Sequence, residues 1–563
     1  MFALIPLFVL AAGVLAILWP QIRKRVKQSR LRNIPGPPSL SIWSGVSKKI
    51  HSPFAIPFRE QVLTTYGRVI RLDDFLGVGV ASPAGSGASE VHLAVSDPLA
   101  MATMFGKYRD AFDLPEWRIH TGNTVFGPGL TAVKGREHSE QRKHLSPVFS
   151  VRYLREMIPT FNRVAQELTT ILRSKVSAPR TEVEIAEYMS RFSLECVGRA
   201  ALGYSFGPLE KHGTDYSRAL KEFGPTIVQL HTWRPLLPWL KRVFPRSWLR
   251  FGAEVIPYKP LQRMRGISDS VNATARQILQ QKKEMLQKGD KMMMQELGEG
   301  KDLMSILMQH NAKSGDISSF SEEDLVGQMS LLLLQATDTT STTLVRIIQQ
   351  LAIRPDAQAR IREELVEATS AAGRTLQDLD FDAFTRLPFM DAVIRETVRM
   401  QVWHSRYPGF YLTSRVSEED TVLPLSAPIQ GANGQFVHEL EVPAGTTVWL
   451  NIFGVNRDPT IWGPDAAEWK PERWLSPLPA SVTDAHVPSV FANTMTFVAG
   501  PRSCIGYNFA LTEIRVVLSH LLLAFEFAPS DKEIVWKMSG IASPSVKGSK
   551  TTRPEMPVLM SSL

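Results

Sequence analysis

The chain has 563 residues and a mass of 62.9 kDa, and its 44% hydrophobic and 21% charged residues exclude an intrinsically disordered protein. Two cysteines, Cys196 and Cys504, are too few for a disulfide-stapled secreted fold and favour a reducing compartment. The formal charge of +9 suits a membrane surface better than a nucleic acid, because its excess lies near the N-terminus and no compact nucleic-acid signature accompanies it.

The first element in chain order is an uncharged apolar segment at residues 1–19. A helix of this length spans roughly 28 Å, close to the thickness of a bilayer core. Six basic residues and no acid follow in residues 21–32, so the positive-inside rule puts the rest of the chain in the cytoplasm. A cleaved signal peptide would instead carry its basic segment before the apolar run. We predict a transmembrane anchor at residues 1–20, a basic and proline-rich hinge at 21–39 and a globular domain at 40–563.

Beyond the hinge, the patterns predict a mainly α fold with smaller β-sheets. Extended patterns cluster at residues 68–95 and 408–450, and amphipathic helical patterns fill most of 140–400. One helix should begin at a capping box made by Ser321 and Asp324 and continue to about Ile353. Since it is apolar on most sides, we expect this helix to run through the middle of the domain. Its polar side chains argue against a second membrane span.

The centre of this long helix, residues 335–340, reads Gln-Ala-Thr-Asp-Thr-Thr. Hydroxyl and acid groups inside a helix compete with its backbone hydrogen bonds and can bend it. One interpretation is a structural kink. The other is a functional break that admits water and dioxygen, with Asp338 and Thr339 relaying protons.

A second unusual segment, residues 497–506, places Cys504 in a glycine-rich loop just before a helical pattern that starts at Tyr507. A thiolate at a helix N-terminus gains from the unpaired N–H groups and the helix dipole, which lower its pKa. A small buried hydrophobe is the usual fate of a free cysteine, and it fits Cys196 better than Cys504.

The segment resembles the haem-binding signature of the cytochrome P450 family through Phe497, Gly500, Arg502, Cys504 and Gly506. Glu396 and Arg399 are similar to the family's Glu-x-x-Arg pair, and residues 471–474 resemble the segment whose arginine, here Arg473, completes that ion-pair network. These motifs occur in the family's order, and the likeness covers about residues 1–530. The resemblance implies a P450-type fold with residues 40–563 as a haem-thiolate catalytic domain.

The resemblance also implies a site. Cys504 would be the axial thiolate of a haem b and the metal ligand, and Asp338 and Thr339 would form the catalytic acid–alcohol pair that delivers protons. The other predicted cofactor-binding residues are Arg502, His138, Arg142, Arg415, Phe497 and Gly506.

Two departures from the family pattern affect this site. His138 stands where the family's propionate motif has tryptophan, and Gln335 with Ala336 replaces the usual pair of small residues in the long helix. Gln335 could bind a substrate oxygen, narrow the pocket or point away into a polar network.

The chain lacks a Gly-x-Gly-x-x-Gly strand–helix motif and a flavin module, so its electrons must come from outside. The resemblance implies NADPH–cytochrome P450 reductase as the partner, with Lys143 as a possible contact. Residues 223–261, with Trp233, Trp239 and Trp248, fall where the family has its substrate entrance, and residues 110–126, with Trp117 and His120, fall where it has a loop over the pocket. Each tryptophan could equally be packed in the core.

The leading hypothesis is a monooxygenase of the endoplasmic reticulum membrane, single-pass, with its catalytic domain facing the cytoplasm. It would use O2 to oxidise a lipophilic molecule such as a terpenoid, as fungal microsomal members do in secondary metabolism. A haem-thiolate isomerase or dehydratase, and a catalytically silent haem-binding membrane protein, are the alternatives. The presence of Cys504, Asp338 and Thr339 argues against both.

Overall fold

A computed structural model of the chain describes residues 29–38, 56–73, 91–209, 215–230, 233–288, 302, 304–308, 320–370, 373, 375–401, 414–539, 541–551 and 553–563. The predicted anchor at residues 1–20 lies outside these residues. Among the helices described, none is both long enough and apolar enough to cross a membrane.

Helices account for most of the described fold. In chain order they are α1 (Ile56–Tyr66), α2 (Pro98–Phe105), α3 (Glu116–Phe126), α4 (Gly135–Leu145), α5 (Val151–Lys175), α6 (Ile185–Cys196), α7 (Asp215–Gln229), α8 (Leu237–Val243), α9 (Arg246–Val255), α10 (Lys259–Lys288), α11 (Glu322–Ile353), α12 (Pro355–Ser370), α13 (Phe381–Thr385), α14 (Pro388–Met400), α15 (Ile452–Asn456), α16 (Pro459–Trp462), α17 (Ala480–Thr483) and α18 (Tyr507–Ala524).

The strands are short and form small sheets. They are β1 (Val69–Asp73), β2 (Val91–Val95), β3 (Phe112–Asp113), β4 (Thr181–Glu184), β5 (Ser414–Ser417), β6 (Thr421–Gln430), β7 (Phe436–Val442), β8 (Thr447–Leu450), β9 (Phe525–Pro529), β10 (Ile534–Ser539), β11 (Ile541–Val546) and β12 (Pro557–Ser562). The described sheets have the strand orders β1-β2-β8-β5-β3, β4-β12-β9, β6-β7 and β10-β11. In the first sheet β2 and β8 pair in parallel, with Leu93 opposite Val448. This mainly α architecture with small sheets confirms the predicted fold class.

The long helix α11 begins and ends as predicted. The Ser321 hydroxyl accepts from the Asp324 backbone N–H, the Asp324 carboxylate accepts from the Ser321 backbone N–H, and the helix ends before Pro355. It packs against α6, α10, α18 and β9 in the middle of the helical core, with most of its residues buried. It is helical without interruption through residues 335–340.

A glycine contact holds one side of α11 close to the loop before α4. A Cβ added at Gly327 would lie 2.8 Å from the Gly129 nitrogen, and one at Gly129 would lie 2.7 Å from the Gly327 carbonyl oxygen. Real Cβ atoms do not approach backbone this closely, so both positions need glycine for the loop and the helix to touch. We call this contact the glycine clasp.

Two hydrophobic clusters meet at the loop that carries Cys504. The helical cluster includes α5, α6, α11 and α18, and the second cluster contains the five-stranded sheet and the segment up to Ala499. Residues 497–506 therefore lie between the two parts of the core, directly before α18.

Candidate active site

Cys504 is held in a tight loop that ends at the N-terminus of α18. Its backbone N–H donates to the Phe497 carbonyl oxygen at 2.9 Å, and the Ser503 N–H donates to the Gly500 carbonyl oxygen at 3.0 Å. Gly500 has φ of +71°, and a Cβ there would lie 2.7 Å from the Phe105 ring, so the turn requires glycine. Phe497 packs edge-on against Phe491 with ring centroids 5.7 Å apart. The half-buried Cys504 side chain lines a cavity.

The electrostatics at Cys504 differ from the sequence-based expectation. Burial raises the pKa of the Cys504 thiol above its usual value, and this outweighs the Gly506 backbone N–H and the Arg142 charge, which lower it. The predicted stabilisation of the thiolate by N–H groups at the helix N-terminus is present, but by itself it does not bring the pKa of the thiol below its usual value. Binding to a metal ion would supply the missing stabilisation of the thiolate.

A buried ion-pair network braces the segment that leads to this loop. Glu396 and Arg399 on α14 face each other as the i, i+3 spacing predicts, and the Arg473 Nε lies 3.5 Å from Glu396 Oε1. The Trp474 indole N–H also donates to Glu396 Oε2 at 2.9 Å, and the Lys470 backbone N–H donates to Oε1 at 3.0 Å. The network that the sequence motifs predict is therefore observed around Glu396.

Beside the cysteine loop, four of the predicted cofactor-binding residues lie in one cluster, which contains the three cations Arg142, Arg415 and Arg502 and the neutral His138. Arg142 donates to the Ser503 carbonyl oxygen at 2.8 Å, next to Cys504. Arg502 forms an ion pair with Asp113 at 2.8 Å and donates to the Val133 carbonyl oxygen at 3.0 Å. His138 is buried among them: burial first, and then the Arg502 charge, lower its pKa to about 3, so the ring is neutral at pH 7.

This cluster fits the carboxylates of a haem. Burial lowers the pKa of Arg142 and of Arg502, and it lowers the pKa of Arg415 to about 9, so each of these cations would gain from an added anion. Asp113 brings one carboxylate to a group of three guanidinium groups. Two propionates next to a cysteine that faces a cavity would balance this positive charge. The residues that are present therefore fit a haem-thiolate group.

The long helix α11 presents Asp338 and Thr339, which both line the same cavity as Cys504. Burial raises the pKa of Asp338 to about 6, and the Lys221 charge opposes that rise. The Thr339 hydroxyl donates to the Gln335 carbonyl oxygen at 2.7 Å within the helix. This bond leaves the Thr339 oxygen able to accept a hydrogen bond from the cavity.

Gln335 also lines the cavity, and its side-chain amide makes a polar contact. The Gln335 amide N–H donates to the Thr131 hydroxyl at 2.7 Å. Of the interpretations that the sequence left open, the structure shows the polar contact. Gln335 thereby joins α11 to the same loop that the glycine clasp holds.

Each of the two regions expected near the pocket contributes to the cavity lining, but through none of the tryptophan and histidine side chains singled out in the sequence. In residues 110–126 the cavity is lined by Arg118, whereas Trp117 lies 4.6 Å from the Arg234 guanidinium in a cation–π contact. In residues 223–261 the Trp233 and Trp248 side chains are 56% and 67% exposed, which excludes core packing for both.

Several residues at the site carry no local sequence signal. Asp113 lies in the two-residue strand β3 and meets Arg502, which is 389 positions away. Lys221 lies on α7 and lines the cavity. Thr131 and the glycine clasp depend on a loop whose position only the fold determines.

Comparisons with known proteins agree with this geometry. A family model described as "Cytochrome P450" matches residues 87–550. Cytochrome P450 monooxygenase 81 of Postia placenta is 39% identical over 536 residues, which cover 95% of this chain and 94% of that protein. A ganoderic acid synthetase of Ganoderma lucidum is 37% identical over 549 residues, which cover 97% and 96%.

A solved structure shows the same fold. The crystal structure of the cytochrome P450DA haem domain superimposes with a TM-score of 0.69 and 19% identity, covering 94% of this chain and 98% of that one. At this identity the likeness concerns the fold alone.

Proposed function

The chain belongs to the cytochrome P450 family and is a monooxygenase of that family, and from this membership we propose that it is a membrane-anchored enzyme that oxidises a lipophilic small molecule with O2. The observation that carries the proposal is a single cavity lined by Cys504, Asp338 and Thr339. A thiol that can ligate a metal, an acid and an alcohol therefore line the same cavity.

In this proposal Cys504 holds the iron of a haem b, and Arg142, Arg415, Arg502 and His138 hold its propionates. When bound, the haem supplies the activation of dioxygen that thiolate ligation favours. Asp338 takes up a proton on the cavity wall. The Thr339 hydroxyl provides the hydrogen bond through which this proton would reach dioxygen. The apolar walls, which include Leu334 and Val345 of α11, exclude bulk water.

Electrons come from a separate NADPH–cytochrome P450 reductase. Lys143 supports this proposal because it is exposed on α4, one position after the Arg142 that contacts Ser503 beside Cys504. A basic side chain on this face can meet an acidic partner surface. Replacing Lys143 with Glu should raise the KM for the reductase while the haem spectrum stays unchanged.

The membrane supplies the substrate. The described helices α8 and α9 and the segments beside them carry a run of exposed apolar side chains: Trp233, Val243, Phe244, Trp248, Phe251, Val255, Ile256 and Tyr258. A patch of this kind marks an interaction site, and aromatic side chains suit the membrane–water interface. Phe223 and Pro225, which precede this run in the chain, line the cavity. We propose that this patch rests on the endoplasmic reticulum membrane, with the predicted anchor at residues 1–20 holding the catalytic domain on the cytoplasmic side.

The proposed substrate is an apolar scaffold such as a terpenoid, within secondary metabolism. Its support is the largely apolar cavity and the likeness to the Ganoderma lucidum protein, whose name describes a ganoderic acid synthetase.

The deciding experiment is the absorption spectrum of the reduced, carbon-monoxide-bound protein. The wild type should show the band of thiolate-ligated haem, and Cys504→Ser should lose it. Cys196→Ala is the matched control, because Cys196 is a buried thiol on α6 that the cavity lining does not include. A band typical of histidine ligation, or a wild-type protein that takes up no haem, would contradict the proposal.

A further test separates turnover from binding. With NADPH, reductase and labelled dioxygen, one labelled oxygen atom should enter the product. Unlabelled product formed without the reductase would instead indicate an isomerase.

A further inference from the structure

A lysine side chain lies on the wall of the proposed substrate cavity. Lys221 lies on α7, whose buried face carries Leu220 and Phe223 into the helical core. The cavity wall around it includes Ala186 and Ser190 of α6, together with Ser543 and Pro544 of β11. Lys221 is therefore a basic group on an otherwise largely apolar wall, in the same cavity as Cys504.

No group within the described residues satisfies the Lys221 amine. Its amine makes no hydrogen bond there, and no carboxylate there lies within 4.0 Å of it. Asp338 and Glu187 act on it as opposite charges at longer range, and burial lowers its pKa. Glu187 already forms an ion pair with Arg191, one turn further along α6. A half-buried amine on a largely apolar wall without a close anion is costly, unless a ligand supplies one.

Asp338 does not supply the close anion that the Lys221 amine lacks. Its pKa of about 6 means that it carries a charge at pH 7, and the Lys221 charge lowers that pKa, but the two groups form no ion pair. Arg118 on α3 adds a second basic group to the cavity wall. Asp338 therefore leaves the Lys221 amine available for an anionic group of a ligand.

We propose that Lys221 binds an acidic group, most simply a carboxylate, on an apolar substrate whose remainder extends towards Cys504. This inference rests on the proposed monooxygenase function and names the substrate class: an amphipathic acid that is oxidised at a position away from its carboxylate. Ser190 is a neutral hydroxyl in the same lining and can donate a second hydrogen bond to the acid.

The test uses probes that bind at the haem iron through an imidazole, so that binding does not depend on knowing the substrate. A series of ω-imidazolyl alkanoic acids with 8, 10 and 12 carbons is compared with the corresponding methyl esters. Dissociation constants are measured from the absorbance shift on iron ligation. At the chain length that reaches Lys221, the acid should bind about tenfold or more tightly than its ester, since a hydrogen bond to a charged group is strong.

Variants identify the residue that is responsible. Lys221→Met should abolish the preference for the acid, Lys221→Arg should retain it, and Lys221→Glu should favour the corresponding ω-imidazolyl alkylamine. Lys241→Met is the matched control, because Lys241 on α8 loses the same charge but donates to Asn123 Oδ1 at 3.1 Å outside the cavity lining. It should leave the preference unchanged.

Equal affinities of acid and ester at every length, or a preference that survives in Lys221→Met, would overturn the inference and leave the monooxygenase proposal standing. A protein in which imidazole itself causes no spectral shift would contradict the haem site instead. The two failures are therefore distinguishable.

Discussion

Glu396 and Arg399 form a doubly bonded ion pair in which neither side chain is exposed: the Arg399 Nη2 lies 2.7 Å from Glu396 Oε1, and its Nε lies 2.8 Å from Oε2. Arg399 also donates to the carbonyl oxygens of Asn456 and Ala466, both at 2.8 Å. Asn456 in turn accepts the Met495 backbone N–H. The pair thus joins α14 to the segment that enters the cysteine loop.

Breaking this pair should lower haem retention more than it lowers the rate of the chemical step. Arg399→Met leaves the Glu396 carboxylate buried without its main partner, so we expect the free energy of unfolding to fall by about 3–5 kcal/mol. Arg395→Met is the control on the same helix, since Arg395 is 38% exposed and pairs with Asp391. It should change stability by about 1 kcal/mol or less. Thermal unfolding and the haem-to-protein ratio measure both effects; an Arg399→Met protein with full haem content would contradict the bracing role.

Thr339→Ala tests the proposed proton path. Removing the hydroxyl should lower product formation by roughly 10- to 100-fold, because the hydroxyl that connects Asp338 to the oxygen in the proposed proton path is lost. Consumption of NADPH should fall much less. Thr339→Ser keeps the hydroxyl and should restore most of the coupling. Thr369→Ala on α12 removes a similar bond, from the hydroxyl to the Leu365 carbonyl oxygen, and serves as the control away from the cavity. Normal coupling in Thr339→Ala would remove Thr339 from the path.

Asp338→Asn should change how stability depends on pH. The pKa of Asp338 is raised from 3.8 to about 6 in the folded chain, so between these values the folded state keeps a proton that the unfolded state releases. Stability of the wild type therefore falls as pH rises through this window. The variant should match the wild type near pH 4 and exceed it by ~1–3 kcal/mol above pH 6. Melting temperatures from pH 4 to 8 measure this difference, and a pH-independent difference would contradict the raised pKa.

The contact between Gln335 and Thr131 can be measured with a double-mutant cycle. Gln335→Leu and Thr131→Val should each lower the free energy of unfolding by about 1 kcal/mol, and the double variant should lose less than the sum. If the side chain of Gln335 acts only through this contact, both variants should change probe affinity by the same factor. A much larger loss of affinity in Gln335→Leu alone would indicate a direct substrate contact.

The elements that could be predicted from the sequence are those whose cause is local. The capping box and the proline after it define α11, and the two glycines and the helical pattern around Cys504 define the cysteine loop. The i, i+3 spacing of Glu396 and Arg399 likewise requires only a helix. The extended patterns at 68–95 and 408–450 contain β1, β2 and β5–β8, as expected.

The rest depends on tertiary structure. The strands β9–β12 lie outside the extended patterns that the sequence predicts, and β3 has two residues. In the sequence, Lys221 looks like an ordinary lysine of an amphipathic helix. Only the tertiary structure places it on the cavity wall. The raised pKa of Cys504 also could not be predicted from the neighbouring residues, because burial, which is the larger effect, is a property of the whole fold.

The glycine clasp has a consequence for engineering this enzyme. Because Gly327 and Gly129 allow no added Cβ, substitutions at these two positions should yield mostly unfolded or haem-free variants. Directed evolution towards new substrates should instead begin at residues that line the cavity, at positions such as 186, 190 and 543.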